Sequence, residues 1–297
     1  MTLNRRRFLQ KTALASGSTL FAAATLHQTA PYLWPGPRIL DQNRSFWAAS
    51  QPPLNPPLRE NLVVDVAVIG GGFTGLSAAY FIRSNSPNKK VVLLEGRGCG
   101  NGASGRNGAM VLTMTEDRYL NFSSHPLLDK EIYALTAANI QWLSNLSMRT
   151  GIDCQLQTDG ALQVLANESE VQQAKEYVRQ ARSLGMPVEF WDKSQVVTAL
   201  GTEIYEGAFF DPSGGQVHPM KLVHVFKVAA QNVGALIYEN TLVDRIEEGK
   251  KHVLYVSDGH TITANSIVLA TNAYTPDLGF LKNAVLPVHE YVAMTRP

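Results

Sequence analysis

The chain has 297 residues, with 26 Lys and Arg against 25 Asp and Glu for a formal charge of +1, and is 45% hydrophobic. That length and apolar content predict a substantial core and two domains, and the balanced charge removes any electrostatic case for nucleic acid or an acidic polymer as partner. Its two cysteines, Cys99 and Cys154, form no CxxC pair, and no histidine cluster has metal-ligand spacing, so the residues predict two unconnected buried thiols and no metal site.

From the N-terminus, Asn4 to Lys11 read NRRRFLQK, and an uncharged run rich in Ala, Ser, Thr and Leu extends from there to about Leu26. The run is short of the ~20 residues needed to cross a bilayer, so it predicts a removable signal over residues 1–30 and no stable membrane span. Ala22 to Ala24, or Thr29 and Ala30, offer the small residues for cleavage. These residues resemble a bacterial twin-arginine export signal, with Arg5 and Arg6 as the pair and Phe8 and Leu9 after it. The resemblance implies the twin-arginine export machinery as a partner, a periplasmic or secreted location, and a cofactor loaded before export. Residues 31–62 are rich in proline and include Trp34 and Trp47, which predicts an extended segment on the surface with the tryptophans as anchors.

Asp65 to Ala109 come next, and the rest of the chain is organised around them. Asp65 to Ile69 predict a buried strand, Gly70 to Gly75 a glycine-rich turn, and Leu76, Ala79, Tyr80 and Ile82 the apolar face of a helix. In a GxGxxG turn the first glycine permits the tight bend, the second lets backbone approach a pyrophosphate, and the third brings helix close to strand. Gly70, Gly72 and Gly75 hold those places, with Phe73 and Thr74 at the helix N-terminus, where unpaired amides and the positive dipole end suit phosphate. Val91 to Leu94 predict a second strand, and Glu95 at its end lies about 20 residues beyond the last glycine, where a carboxylate accepts ribose hydroxyls.

NAD and FAD share this motif, so the choice between them rests on the residues after Glu95. Gly98, Gly100, Gly102, Ser104, Gly105, Arg106, Asn107 and Gly108 make a second loop able to present amides, a hydroxyl and a guanidinium to the pyrophosphate and a flavin ring. VAVIGGGFTGLSAAY at Val66 to Tyr80, GNGASGRNGA at Gly100 to Ala109, and VLATNAYTPDL at Val268 to Leu278 resemble the FAD-dependent amine and amino-acid oxidase family. That family contains glycine oxidase, sarcosine oxidase and D-amino-acid oxidases, and the likeness is nearest to its gamma-glutamylputrescine oxidoreductase branch. The branch typically has glycine where this chain has Ala109.

The resemblance implies an α/β fold: a Rossmann-like FAD-binding domain of the glutathione-reductase type with an inserted mixed α+β substrate domain, incomplete at the C-terminus. The expected cofactor domain covers 63–150 and 206–278, and the substrate domain 151–205 and 279–297. Helices are predicted over Glu131 to Met148, Ser169 to Leu184, Lys193 to Leu200 and Met220 to Asn232, and strands over Cys154 to Val164, Pro187 to Phe190, Leu236 to Glu239 and Ser266 to Leu269. Asp258 and Gly259 predict a hairpin turn. By resemblance, Val243 meets the adenine end through its backbone and Thr271 lies beside the FAD.

The implied reaction is oxidation of a C–N bond in a small-molecule amine or amino acid, by hydride transfer to flavin N5 and imine hydrolysis. No catalytic acid or base is evident, and the histidines read as structural. The alternatives are a flavin-dependent hydroxy-acid or polyol-phosphate dehydrogenase, and a truncated remnant without catalysis. Family members continue by roughly another ~100 residues, so a separate C-terminal chain is an alternative partner.

Overall fold

The computed structural model describes residues 45–114 and 125–288; the expected export signal, Trp34 and His289 lie outside the described residues. The main sheet has the strand order β8-β2-β1-β11-β10-β9. At its centre lies β1 (Leu62–Ile69), flanked in parallel by β2 (Val91–Leu94) and β11 (Thr261–Leu269). The parallel β8 (Leu236–Tyr238) extends one side, and the antiparallel β9 (Val243–Glu247) and β10 (His252–Val256) the other.

The near-continuous apolar runs of β1 and β2 have their cause in two covered faces. Val66, Val68, Val91 and Leu93 point into one core, against α1 (Phe73–Asn85) and α5 (Pro219–Asn232). Ala67, Ile69, Val92 and Leu94 alternate into a second, shared with Leu58, Val243, Leu254 and Ile262. Leu76 and Leu93 are wholly buried, each stabilising by roughly 1.5–3 kcal/mol. Tyr80, Phe81, Trp142 and Phe226 interlock α1, α5 and α2 (Pro126–Thr150), with Phe81 and Trp142 stacked at 5.3 Å.

A smaller antiparallel sheet has the order β4-β6-β5, built from β4 (Ala161–Leu165), β5 (Glu189–Asp192) and β6 (Gly207–Asp211). It packs with α3 (Glu168–Ser183) in a third core around Leu165, Tyr177 and Phe209, and α4 (Lys193–Leu200) follows β5 directly. The small sheet therefore runs to Asp211, past the expected boundary at 205, because β6 pairs with β4 and β5 and not with the main sheet.

α2 joins the first core to the third: Tyr133 belongs to the third, Leu143 and Leu146 to the first. Its joint is polar. The Tyr133 hydroxyl donates to buried Asp211 at 2.7 Å, the Thr113 hydroxyl donates to the same carboxylate, and burial above all pushes the Tyr133 phenol up.

Some expected boundaries shift for local reasons. α2 starts earlier than Glu131, because Pro126 sits in its first turn, where a missing N–H costs nothing. The strand expected from Cys154 is broken: Gln155 and Gly160 both take positive φ (55° and 101°), leaving a bridge of Gln157 to Gln216 before β4. Gln216 lies in β7 (Gly215–Gln216), which pairs with β3 (Met110–Val111). β11 begins well before Ser266, pairing with β10 across the expected Asp258-Gly259 turn, where Gly259 has φ 94°. The proline-rich segment is less superficial than expected. Trp47 anchors it from a 3-10 turn (Phe46–Ser50), but Leu58 is wholly buried.

Candidate cofactor site

Four parallel strands, β8, β2, β1 and β11, end on one edge of the main sheet, and hydrogen bonds lock their ends together. Gly70 N–H donates to Leu94 O (2.9 Å), Ala270 N–H to Ile69 O (2.8 Å), and Glu95 N–H to Tyr238 O (2.9 Å). β1 is the switch point, with β2 and β8 on one side and β11 on the other, so a crevice opens at its carboxyl end.

Gly70 and Gly75 take the tight-turn and close-packing places their spacing predicts, and Gly72 is constrained by the second loop. Gly70 has φ 108°, and a Cβ there would lie 2.5 Å from Ala270 O. A Cβ on Gly75 would lie 1.9 Å from Gly70 O, and one on Gly72 would strike Ser104 Oγ at 2.8 Å. Phe73 and Thr74 open α1, whose N-cap, Gly72, supplies no side-chain oxygen and whose first turn holds no acid. The Phe73 amide donates instead to Ser104 Oγ (2.9 Å), which ties the second loop to the helix N-terminus and leaves the serine hydroxyl its own proton to give. The positive end of α1 thus faces the crevice with no negative charge from its own first turn.

Glu95 accepts Gly71 N–H on Oε2 (2.7 Å) and Arg97 N–H on Oε1 (2.9 Å), so the carboxylate is fixed while each oxygen keeps acceptor capacity. Burial raises its pKa above the ordinary 4.5, the two amides oppose that, and the Glu239 carboxylate adds to it. Arg106 donates from Nε to Asn101 O (2.7 Å). Asn107 accepts Ala109 N–H (3.0 Å) and donates to Ser104 O (2.9 Å), closing the loop on itself. Gly105 is buried against Gly100 O, and a Cβ on Gly108 would meet only Met110, at 3.9 Å.

Thr271 follows Ala270 beside the Gly70 turn, and its hydroxyl bonds with that of Thr275 (2.9 Å). Val243 lies farther out; its side chain is buried in the second core, two residues after Thr241, whose N–H donates to Glu95 O (2.9 Å).

Sequence reasoning missed Gly71, Arg97 and Tyr274. Gly71 is a required glycine, since a Cβ there would crowd Cys99 Sγ at 2.8 Å. Tyr274 sits among Arg106, Arg97 and Glu95: burial raises its pKa, and the two guanidiniums partly oppose that. The local signals were slight, a third glycine in the turn, a cation two residues past Glu95, and a tyrosine in the ATNAY stretch.

His218 is structural, as expected. Burial and then Lys221 lower its pKa, and Nδ1 accepts Lys221 N–H (3.3 Å), which caps α5.

Ala109 has φ 69°, a left-handed conformation that explains the glycine preferred there in the resembling branch. The left-handed penalty of roughly 1–2 kcal/mol, less roughly 0.5–1 kcal/mol of glycine chain entropy, makes Ala109→Gly stabilising by about 0.5–1 kcal/mol. Urea denaturation would read this as a raised midpoint at constant slope.

A strand, glycine turn, helix, strand and acid, with a second glycine loop closing the crevice, define a dinucleotide-binding oxidoreductase domain. Residues 65–297 match the family described as FAD dependent oxidoreductase, and the chain belongs to that family. It is 29% identical over 251 residues to a probable oxidoreductase OrdL of Haemophilus influenzae, covering 82% of this chain and 58% of the relative. It is 28% identical to the gamma-glutamylputrescine oxidoreductase of Escherichia coli, covering 80% of this chain and 56% of that protein. The crystal structure of glycine oxidase from Geobacillus kaustophilus superposes with a TM-score of 0.63 at 27% identity, over 74% of this chain and 58% of that one. The chain thus spans a little over half the length of these relatives.

Proposed function

We propose that this chain binds FAD along the carboxyl edge of its main sheet and serves the oxidation of a C–N bond in an amine or amino acid. The observation that carries the reading is the meeting, at one crevice, of the acid-free N-terminus of α1, the Glu95 carboxylate and the Ser104 loop. Gly70, Gly72, Phe73, Thr74 and Gly75 would hold the pyrophosphate, with Arg97 and Arg106 offsetting its charge. Glu95 would take the ribose hydroxyls, Ser104 to Gly108 would form the opposite wall, and the backbone at Val243 and Thr271 would border the cofactor. FAD supplies the hydride acceptor when bound; the chain's own residues orient it and exclude water.

The amine class is supported by the relatives, a gamma-glutamylputrescine oxidoreductase and a glycine oxidase. Anaerobic bleaching of the yellow holoprotein by amines or amino acids, and not by hydroxy acids, is the expected result; bleaching by hydroxy acids alone would reject the class. Export as a folded protein through the twin-arginine machinery to the periplasm completes the reading, on the strength of Arg5, Arg6, Phe8 and Leu9. Recovery of only unprocessed protein in the cytoplasm of its host would overturn it.

Glu95 gives a pH test. A carboxyl with a raised folded pKa favours the folded state fully below 4.5 and loses that contribution as pH rises through the raised value. Ribose hydroxyls favour the ionised form, so FAD affinity is expected to rise with pH through the same window. Glu95→Gln should weaken FAD binding by roughly 10- to 100-fold at neutral pH, the scale of hydrogen bonds to a charged group, and flatten the pH dependence. Flavin fluorescence titrations from pH 4.5 upward would check both outcomes.

A further inference from the structure

We propose that the segment from Ser45 to Leu58 is a brace that holds the second glycine loop in the shape that receives FAD, with Ser45 and Trp47 as positioning residues. This rests on the cofactor reading above and adds residues outside the βαβ motif to it. The brace touches the main chain of the loop at three points. Ser45 Oγ donates to Gly105 O (2.6 Å), Trp47 Nε1 to Asn107 O (3.1 Å), and Gln51 Nε2 to Cys99 O (3.4 Å). These acceptors are main-chain carbonyls at both ends of the loop. Because C=O and the following N–H point opposite ways across a planar peptide, fixing the Asn107 carbonyl on Trp47 turns the Gly108 amide away from it.

The brace is itself anchored in the interior. Asn55 N–H and Cys99 N–H both donate to the Glu239 carboxylate, the second at 2.6 Å, so brace and loop hang from one buried group. Lys227 Nζ bridges the same carboxylate (2.5 Å) to Pro53 O (2.6 Å). On the loop's other side Ser104 already binds the start of α1. A glycine-rich loop has high conformational entropy when free, and this one is clamped between the helix and the brace. Trp47 is further set by His218, with ring centres 4.8 Å apart.

The test uses the full chain. Trp47→Phe keeps an aromatic ring, a smaller one, and removes the N–H, Ser45→Ala removes the hydroxyl, and Ser45→Thr keeps it. In the double variant Trp47→Phe/Ser45→Ala the FAD dissociation constant should rise about 10-fold, the scale of two neutral hydrogen bonds. Amides of residues 98–108 should exchange with deuterium about 10-fold faster in the FAD-free protein, with the rest of the chain unchanged. Ser45→Thr should behave as wild type in both measurements, which a general loss of packing would not produce. Unchanged affinity together with unchanged loop exchange would overturn the brace. A wild-type chain that takes up no FAD would reject the cofactor reading, and loop exchange would then decide whether the segment orders the loop.

Discussion

Gly75→Ala is expected to abolish FAD uptake, with a loss of more than 100-fold in affinity. The methyl carbon would sit 1.9 Å from the Gly70 carbonyl oxygen, and that oxygen belongs to backbone, which no rotamer change can move aside. Gly70 has little room to retreat either, because Ala270 O lies 2.5 Å from where a Cβ on it would be. Relief requires α1 to lift off β1 by more than ~1 Å, a displacement of the scale that costs a factor of 100 at a positioned site. The lift also pulls Phe73 N–H from Ser104 Oγ, opening the crevice wall. Overpacking of this kind costs roughly 1–3 kcal/mol of stability, so thermal unfolding should fall as well. Gly102→Ala is the control. Nothing lies within 4 Å of its Cβ position, and its φ of −81° suits any residue, so stability should stay within ~0.5 kcal/mol. Flavin absorbance after reconstitution separates the two variants, and a yellow Gly75→Ala protein would show that close helix–strand packing is not what that glycine serves.

The first βαβ unit was legible because its sequence signals lie within one short stretch, even though Ala270 and Ser104 also constrain its glycines. Val91–Leu94 and Lys193–Leu200 form their elements at the expected residues, and the three motif glycines each have a steric reason. What escaped the sequence was set by distant partners. The GAFFD run of β6 carries no mark of which sheet it joins; pairing with β4 and β5 decides that, so the boundary at 205 fell short. Gln155 takes a left-handed turn that composition does not announce, which split the expected strand. Lys227 sits in a helical pattern where lysine ordinarily faces water, yet its side chain is 3% exposed. Its partner Glu239 reads as the polar end of a short strand, and Asn55, another donor to that carboxylate, is 184 residues away.

That hidden pair carries the second large effect. Lys227→Met is expected to destabilise the protein by roughly 3–5 kcal/mol, the cost of leaving one member of a buried ion pair uncompensated. The side chain of Glu239 has no exposure, so water cannot replace the lysine without opening the contact between α5 and β8. In many proteins an apolar pair of similar volume substitutes for a buried ion pair at little cost. Here Lys227→Met/Glu239→Leu should not recover wild-type stability. Glu239 accepts the main-chain amides of half-buried Asn55 and buried Cys99, and leucine leaves both without that partner, at roughly 1–3 kcal/mol for the buried donor and less for the other. Pro53 O loses the lysine donor at the same time. The double variant is therefore expected to remain at least ~2 kcal/mol below wild type. Urea unfolding followed by tryptophan fluorescence, with equal slopes for all forms, measures the difference. Full recovery in the double variant would mean that the pair contributes only charge balance, and that the segment around Asn55 and the loop at Cys99 stay in place without the carboxylate.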